Sequence, residues 1–205
     1  MTDSAGKRLA RSRTASEQVS AALLNAAEAV LDRAGAHEVT IRAVAREANV
    51  APMGVYNRFG NKEGLRVALA ARALDELADA IDVPAGTESP DPQRRFRLAC
   101  RGYRGFALGH PARYSLIFAS GSPLQVTTSA VAAHGRAAFG TLIELVRGLA
   151  VAEEDSTEVA QAVWSAVHGA VTIEQAGIGQ TPDADASYEI LLDLLIEGIA
   201  ASRRP

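Results

Sequence analysis

One cysteine, Cys100, stands in 205 residues, so no intramolecular disulfide can form and nothing points to an oxidising compartment. The opening residues, MTDSAGKRLARSRT, lack the apolar centre of a signal peptide. The apolar stretch from Val159 to Ile173 is too short to cross a bilayer and is interrupted by Gln161, His168 and Thr172. These absences point to a cytoplasmic protein with no membrane partner. His37, His110, His134 and His168 show neither HExxH nor Cys/His ligand spacing, and the chain carries no nucleophile elbow, P-loop or dinucleotide glycine pattern. No catalytic residue, metal site or cofactor is therefore expected. A helical adaptor whose head binds protein is the other class to weigh, and DNA binding without strong salt dependence would favour it.

What is present is a globular composition, 48% hydrophobic and 22% charged. Apolar residues recur at helical spacing throughout, which predicts an all-α fold of about nine helices. The net charge of −3 divides unevenly. Residues 1–66 hold ten Lys/Arg against seven Asp/Glu, and residues 67–205 eleven against seventeen, giving +3 and −6. A basic head on an acidic body suits an anionic partner at one end only.

Lys7, Arg8, Arg11 and Arg13 form a basic arm, read either as a solvated tail or as an anchor on DNA phosphates or in the minor groove. Thr14-Ala15-Ser16-Glu17 has capping-box spacing, so the first helix is expected to run from there to Ala34, ended by Gly35. Thr40 caps a short helix reaching Glu47, and Asn49 tolerates the left-handed backbone that a reversal needs. Ala51-Pro52 opens a second short helix that buries Val55 and Phe59, with Pro52, Met53, Tyr56 and Asn57 on its other face. A long helix then runs from Asn61 to about Ile81, burying Leu65, Leu69, Leu74 and Leu77. Residues 83–92, VPAGTESPDP, break the chain, and Asp91-Pro92 restarts it. Further helices are expected to Leu108, over ARYSLIFAS, from Leu124 to Ala150, from Asp155 to Ala176, and from Asp185 to Ser202.

Two short helices joined by a capped reversal make a helix-turn-helix. Thr40, Val44, Ala45, Ala48, Val50, Val55, Tyr56, Phe59, Lys62, Glu63 and Leu65 resemble, in register, the DNA-binding signature of the bacterial tetracycline-repressor (TetR) family. The chain departs from that pattern at Asn49 for glycine, Ala51 for a Ser or Thr cap and Gly54 for Thr, which removes two hydroxyls. The body resembles the subgroup carrying a W-x-x-x-H-G element, here Trp164, His168 and Gly169, after an H-P-A-x-Y segment at His110 to Tyr114. The resemblance implies a DNA-binding head over residues 1–62, a larger helical ligand-binding and dimerisation body over 63–205, and a ligand-responsive transcriptional regulator. Repression is the implied direction, with release from DNA by a small-molecule effector.

DNA contact is expected from Arg11, Arg13, Thr40, Arg42, Ala51, Pro52, Met53, Tyr56, Asn57, Arg58 and Lys62. Tyr56 and Lys62 read as phosphate contacts, although a core tyrosine and a solvated lysine are the plain alternatives. Arg42 can reach guanine, and a surface arginine is an equal reading. With Gly54 in place of a hydroxyl, Arg42, Asn57, Arg58 and the arm carry more of the recognition than the family pattern implies. For the effector, Tyr103, Phe106, Tyr114, Phe118, Trp164 and His168 are candidates, each also readable as ordinary core. Cys100 reads as a buried thiol sooner than a redox sensor.

In the last helix Glu189, Asp193 and Glu197 form one acidic stripe, leaving roughly 240° of its circumference apolar. One core needs about half of that. The last two helices are therefore expected to pair with their copies in a homodimer through Val163, Val167, Leu191, Leu192, Leu195 and Ile199, a fully internal helix pair being the alternative. The partners implied are a palindromic double-stranded operator, a small-molecule effector and a second copy of the chain.

Overall fold

The computed structural model describes residues 3–85, 90–125 and 130–201, with side chains described over 16–82, 90–125 and 131–201. The described residues form nine α-helices and no strand: α1 Asp3–Ala34, α2 Ile41–Glu47, α3 Pro52–Phe59, α4 Lys62–Ala85, α5 Pro92–Gly109, α6 Pro111–Phe118, α7 Ala130–Gly148, α8 Ser156–Gln175 and α9 Ala184–Ala201. Short 3₁₀ turns precede α2, α7 and α8.

The caps explain most of the starts. Thr40 Oγ1 accepts from the Ala43 amide at 3.1 Å, Asn61 Oδ1 from Gly64 at 2.8 Å, Asp91 Oδ1 from Gln93 at 3.0 Å and Asp183 Oδ1 from Ala186 at 2.9 Å. Each satisfies one first-turn donor that the helix itself cannot pair. Between α3 and α4 the chain passes through Gly60 at φ +73°, where a side chain would be strained.

Four boundaries differ from the sequence reading. α1 begins at Asp3, not Thr14, because Leu9, Ala10, Arg11 and Arg13 are all good helix formers and no proline precedes Thr14 to stop the helix. Arg11 and Arg13 thus lie on helical backbone, and their side chains fall outside the described residues. α4 continues to Ala85 with Pro84 in its last turn, where a missing amide costs only one bond. α7 starts at Ala130, since Pro123 belongs to a 3₁₀ turn at Pro123–Gln125. Asp155 makes no capping bond. Instead Ser156 Oγ donates to the Glu153 carbonyl at 2.8 Å and fastens α8 to the 3₁₀ turn before it.

α4 is the axis. It packs chiefly against α5 and α7 and also touches α1, α3 and α6. Leu65, Leu69, Leu74 and Leu77 are all buried, as their spacing predicts. One apolar core runs from Leu31 and Val55 in the head through α4 to Phe96, Ile117 and Leu192 in the body.

A charged cluster spans the same junction. Arg113 of α6 donates to Asp32 of α1 at 3.2 and 2.7 Å and to Glu76 of α4 at 2.6 Å. Arg72 lies 2.8 Å from Glu28 Oε1, but that oxygen accepts no aligned hydrogen bond. Burial, reinforced by Glu76, holds the Glu28 carboxyl above its usual value of 4.5 despite Arg72 and Arg113. The native state therefore binds this proton more tightly than the unfolded chain. Its contribution to stability is complete below pH 4.5 and is lost as pH rises through the folded value. Glu28→Gln should abolish that dependence. Thermal unfolding at pH 4.5 and pH 8 should show the variant gaining on the parent protein at pH 8, and a net loss at pH 8 would mean that the Arg72 contact dominates.

Candidate functional site

The reversal between α2 and α3 is closed by backbone. The Val50 amide donates to the Ala45 carbonyl at 2.9 Å, and Asn49 takes φ +52°, the left-handed conformation expected of it. Val55 is fully buried and Phe59 half-buried, which turns the rest of α3 outward. Pro52, Met53, Tyr56 and Asn57 form that outer face, with Met53 64% and Tyr56 47% exposed. The open face of α3 therefore offers an apolar thioether and a phenol to whatever approaches it. Ala51 holds the capping position without a side-chain hydrogen bond, so the first-turn amides of α3 have no side-chain cap to compete with an incoming oxygen.

The cations around α3 differ in freedom. Arg42 is exposed at the second position of α2. Arg58 Nη1 donates to Ser16 Oγ of α1 at 3.0 Å, and Lys62 Nζ donates to the His37 carbonyl at 3.3 Å, so both are tethered to the head while still exposed. Thr40 is half-buried and its hydroxyl is engaged as a cap. The tethers on Ser16 and His37 had no sequence signal, because each is a long-range contact to a residue unremarkable in its own segment.

In the body, α4, α5, α6, α7 and α8 enclose a cavity of about 450 Å³. Of the six aromatic and imidazole candidates, Tyr103, Phe118 and Trp164 line it. Phe139 and Arg136 of α7 and Leu124 line it too, and none of these was anticipated. Tyr114 and His168 form a polar layer with Tyr103. The Tyr114 hydroxyl lies 2.6 Å and the Tyr103 hydroxyl 2.9 Å from His168 Nδ1, the two hydroxyls lie 3.0 Å apart, and Trp164 Nε1 donates to the Tyr103 oxygen at 3.3 Å. Phe106 turns elsewhere. Its ring sits 5.4 Å from His110 beside a shallow depression lined by Glu76 and Arg113.

Burial pushes the His168 imidazole below its ordinary value, which favours the neutral ring beside the two phenols. The same cause raises Tyr103 to about 12 and lifts Tyr114 further. The Cys100 thiol, also on the cavity wall, is pushed up to about 12 by burial and stays protonated, which leaves it unreactive.

The face that α8 and α9 present is not the one expected. Val163, Val167, Leu192 and Ile199 are 2, 3, 0 and 6% exposed within the single chain, so they are its own core and have no surface left to give a second subunit. Leu191 and Leu195 are half-buried. Ile173, Ile190 and Leu194 stand out instead, 48, 59 and 61% exposed. The cause is α5. Arg101 grips Glu189 with bonds of 2.7 and 2.8 Å, Arg97 pairs with Asp193, and Arg104 binds Glu174 and Asp185 with its guanidinium 5.1 Å from the centre of the Tyr188 ring. α9 thus buries Tyr188, Leu192, Ile196 and Ile199, its acidic stripe runs along the edge of that face beside α5, and Ile190 and Leu194 on the far side face out.

Among the described residues no helix is long and apolar enough to cross a membrane, and no group of three or more His, Cys, Asp or Glu is placed to hold a metal. Residues 23–69 match the family model described as bacterial regulatory proteins, tetR family, and residues 96–195 that of the tetracyclin repressor-like C-terminal domain. The chain is 29% identical over 170 residues to the uncharacterized HTH-type transcriptional regulator Rv0681 of Mycobacterium tuberculosis, which covers 82% of this chain and 76% of that protein. It is 27% identical to BioQ solved with its double-stranded DNA operator, with a TM-score of 0.62 over 87% of this chain and 96% of that one. A TetR variant from Acinetobacter baumannii AYE solved in complex with minocycline shares the fold, with 24% identity and a TM-score of 0.64 over 89% and 97% of the two chains.

Proposed function

Because the chain belongs to the TetR family of bacterial regulatory proteins and is therefore a DNA-binding transcription regulator, not an enzyme, we propose that it is a cytoplasmic repressor that binds a palindromic operator as a homodimer and lets go when a small molecule fills its body. One observation carries the switching part of this reading. The cavity wall includes Leu74, Leu77 and Ile81 of α4, and α4 begins at Lys62, directly after the recognition helix α3. A ligand that displaces α4 moves α3 with it. For that to release DNA, the ligand must favour the displaced state by a few kcal/mol. The division of labour falls at Lys62, with residues 1–62 as the DNA-binding head and 63–205 as the body.

In this reading α3 enters the major groove, with Met53 and Pro52 against base edges, Tyr56 and Lys62 on phosphates, and Arg42 and Asn57 reading bases. The face with Ile190 and Leu194 joins two copies. A two-fold pair then sets its recognition helices about 34–36 Å apart, one DNA turn, or at a multiple of that distance. BioQ with its operator and the TetR variant with minocycline are precedents for the two kinds of partner.

The test is fluorescence anisotropy of the purified protein against fragments from its own upstream region, with competitor DNA and at several salt concentrations. Tight, selective binding by two subunits per site is expected. Arg42→Ala should cost about 1–3 kcal/mol at its base pair and relax discrimination there, whereas Lys62→Gln should weaken all sequences alike and lower the salt slope by about one. Failure to select any sequence from random DNA would overturn the reading.

A further inference from the structure

We propose that the cavity takes a neutral alcohol, a ligand with an apolar body and one hydroxyl that donates to the carboxamide oxygen of Gln161. This rests on the cavity being the effector site and names the chemistry that the site selects.

Five of the lining residues carry a polar or ionisable group: Cys100, Tyr103, Arg136, Gln161 and Trp164. Four of them have little to give a ligand. Trp164 Nε1 spends its one hydrogen on the Tyr103 oxygen at 3.3 Å. That oxygen also has the Tyr114 hydroxyl at 3.0 Å and His168 Nδ1 at 2.9 Å, and three neighbours use up the one hydrogen and two lone pairs of a phenol. The Cys100 thiol stays protonated and is a weak donor. Arg136, the one lining residue with a formal charge, already has an interaction of its own.

Gln161 is different. The Ser165 hydroxyl donates its only hydrogen to the Gln161 backbone carbonyl at 2.8 Å, so toward the Gln161 side chain it can only accept. Nε2 supplies that bond at 3.2 Å, which fixes the orientation of the carboxamide. Oε1 and the second Nε2 hydrogen are left without a partner among the described residues. Gln161 is exposed, at the rim of the chamber, so a ligand that reaches it keeps its polar end beside water and its body inside.

A hydroxyl serves either free group, and at Oε1 it meets an acceptor that an ether cannot use. A carboxylate would set its oxygens against Oε1 and find no free cation to compensate its charge. A primary ammonium can donate to Oε1, but no carboxylate lines the cavity and Arg136 stands on its wall. The rest of the wall is hydrocarbon and aromatic, so the body of the ligand is apolar. Its size is bounded too. The chamber of about 450 Å³ is about three times the roughly 150 Å³ that an apolar cavity needs to hold benzene, which leaves room for about eighteen carbon-sized atoms at most.

Trp164 is the only tryptophan in the chain and stands on the cavity wall, so its fluorescence reports occupancy directly. The full chain would be titrated with decanol, nonyl methyl ether, decanoate and decylammonium, each below its micellar concentration, while release of labelled operator is followed in parallel. Decanol should give a saturable change and release operator over the same range. Nonyl methyl ether, its isomer without a donor, should bind about three- to tenfold more weakly, the value of one neutral hydrogen bond, and the two ions at least about tenfold more weakly. Gln161→Leu should erase the preference for alcohol over ether. Gln161→Glu, which keeps an acceptor and adds a charge, should retain that preference and raise the affinity of decylammonium. Equal binding of alcohol and ether, or a preference for either ion by the parent protein, overturns the alcohol assignment; the effector site stands if the favoured probe still saturates and releases DNA. An alcohol preference that survives Gln161→Leu overturns the role of Gln161. If no probe perturbs Trp164 or the operator complex, the effector-site reading fails along with the proposal.

Discussion

Leu194→Asp is expected to yield a folded monomer that no longer holds its operator. Leu194 is 61% exposed in the single chain and Ile190, one turn away on α9, is 59% exposed, so a carboxylate there disturbs no internal packing. At a two-fold interface the same surface meets itself, and one substitution places two carboxylates in a shared apolar patch. Each would have to be buried without a partner, at several kcal/mol apiece, which is enough to prevent association at micromolar concentration. A monomer offers one recognition helix where the dimer offers two. Affinity for the full operator should fall at least about a hundredfold, while weak half-site binding survives, because half of the phosphate contacts and the added effective concentration are lost. Light scattering would give the mass, circular dichroism the fold and anisotropy the affinity. Leu192→Asp is the contrast, since Leu192 is 0% exposed and its replacement should unfold the chain. If Leu194→Asp remains a dimer, the interface lies on another face.

That pair of neighbours marks the limit of what the chain could tell in advance. In the head, each step is local: Thr40 caps, Asn49 reverses, Pro52 starts a helix, Val55 turns inward, and the structure follows each of them. The start of α1 departs from its local signal for the opposite reason. Thr14 to Glu17 has capping-box spacing, but a capping box matters only where a helix has to begin, and the preceding residues have no cause to leave the helix. α9 is a different kind of case. Its periodicity reveals an acidic stripe and a broad apolar arc, but which part of that arc meets the chain's own core is settled by contacts far off in sequence: Arg97 and Arg101 of α5 hold Asp193 and Glu189 at one edge, Leu192 and Ile196 turn inward, and Ile190 and Leu194 are left outside. The cavity was only partly legible because an aromatic that packs a core and one that walls a space have the same spacing. Tyr103, Phe118 and Trp164 met that space, Tyr114 and His168 form a polar layer with Tyr103, and Phe106 turned to His110.

Gly102 and Gly105 of α5 should respond to alanine with opposite signs. A methyl group on Gly102 would penetrate the carbonyl oxygen of Ala80, a backbone atom of α4 that cannot rotate away as a side chain would. The approach is close for a reason that lies in α4. The donor due to that carbonyl one turn later is residue 84, a proline with no amide hydrogen, so the oxygen lacks its usual donor and sits against the bare Cα of α5. Gly102→Ala must push α4 and α5 apart along their largest contact, at about 1–3 kcal/mol, which lowers the melting temperature of a chain this size by roughly 2–12 °C. The cavity lies between these same two helices, with Leu74, Leu77 and Ile81 on one and Cys100 and Tyr103 on the other, so the variant should also bind cavity probes differently. Gly105, one turn further along α5, has nothing within 4 Å of its added methyl group. There alanine only restricts the unfolded chain and favours the helix, a gain of about 0.5–1 kcal/mol. Differential scanning calorimetry of the two variants reads both effects. A Gly102→Ala variant as stable as the parent would mean that α4 can move away from α5 freely, and in that event a ligand in the cavity would meet little resistance in shifting the helix that carries the head.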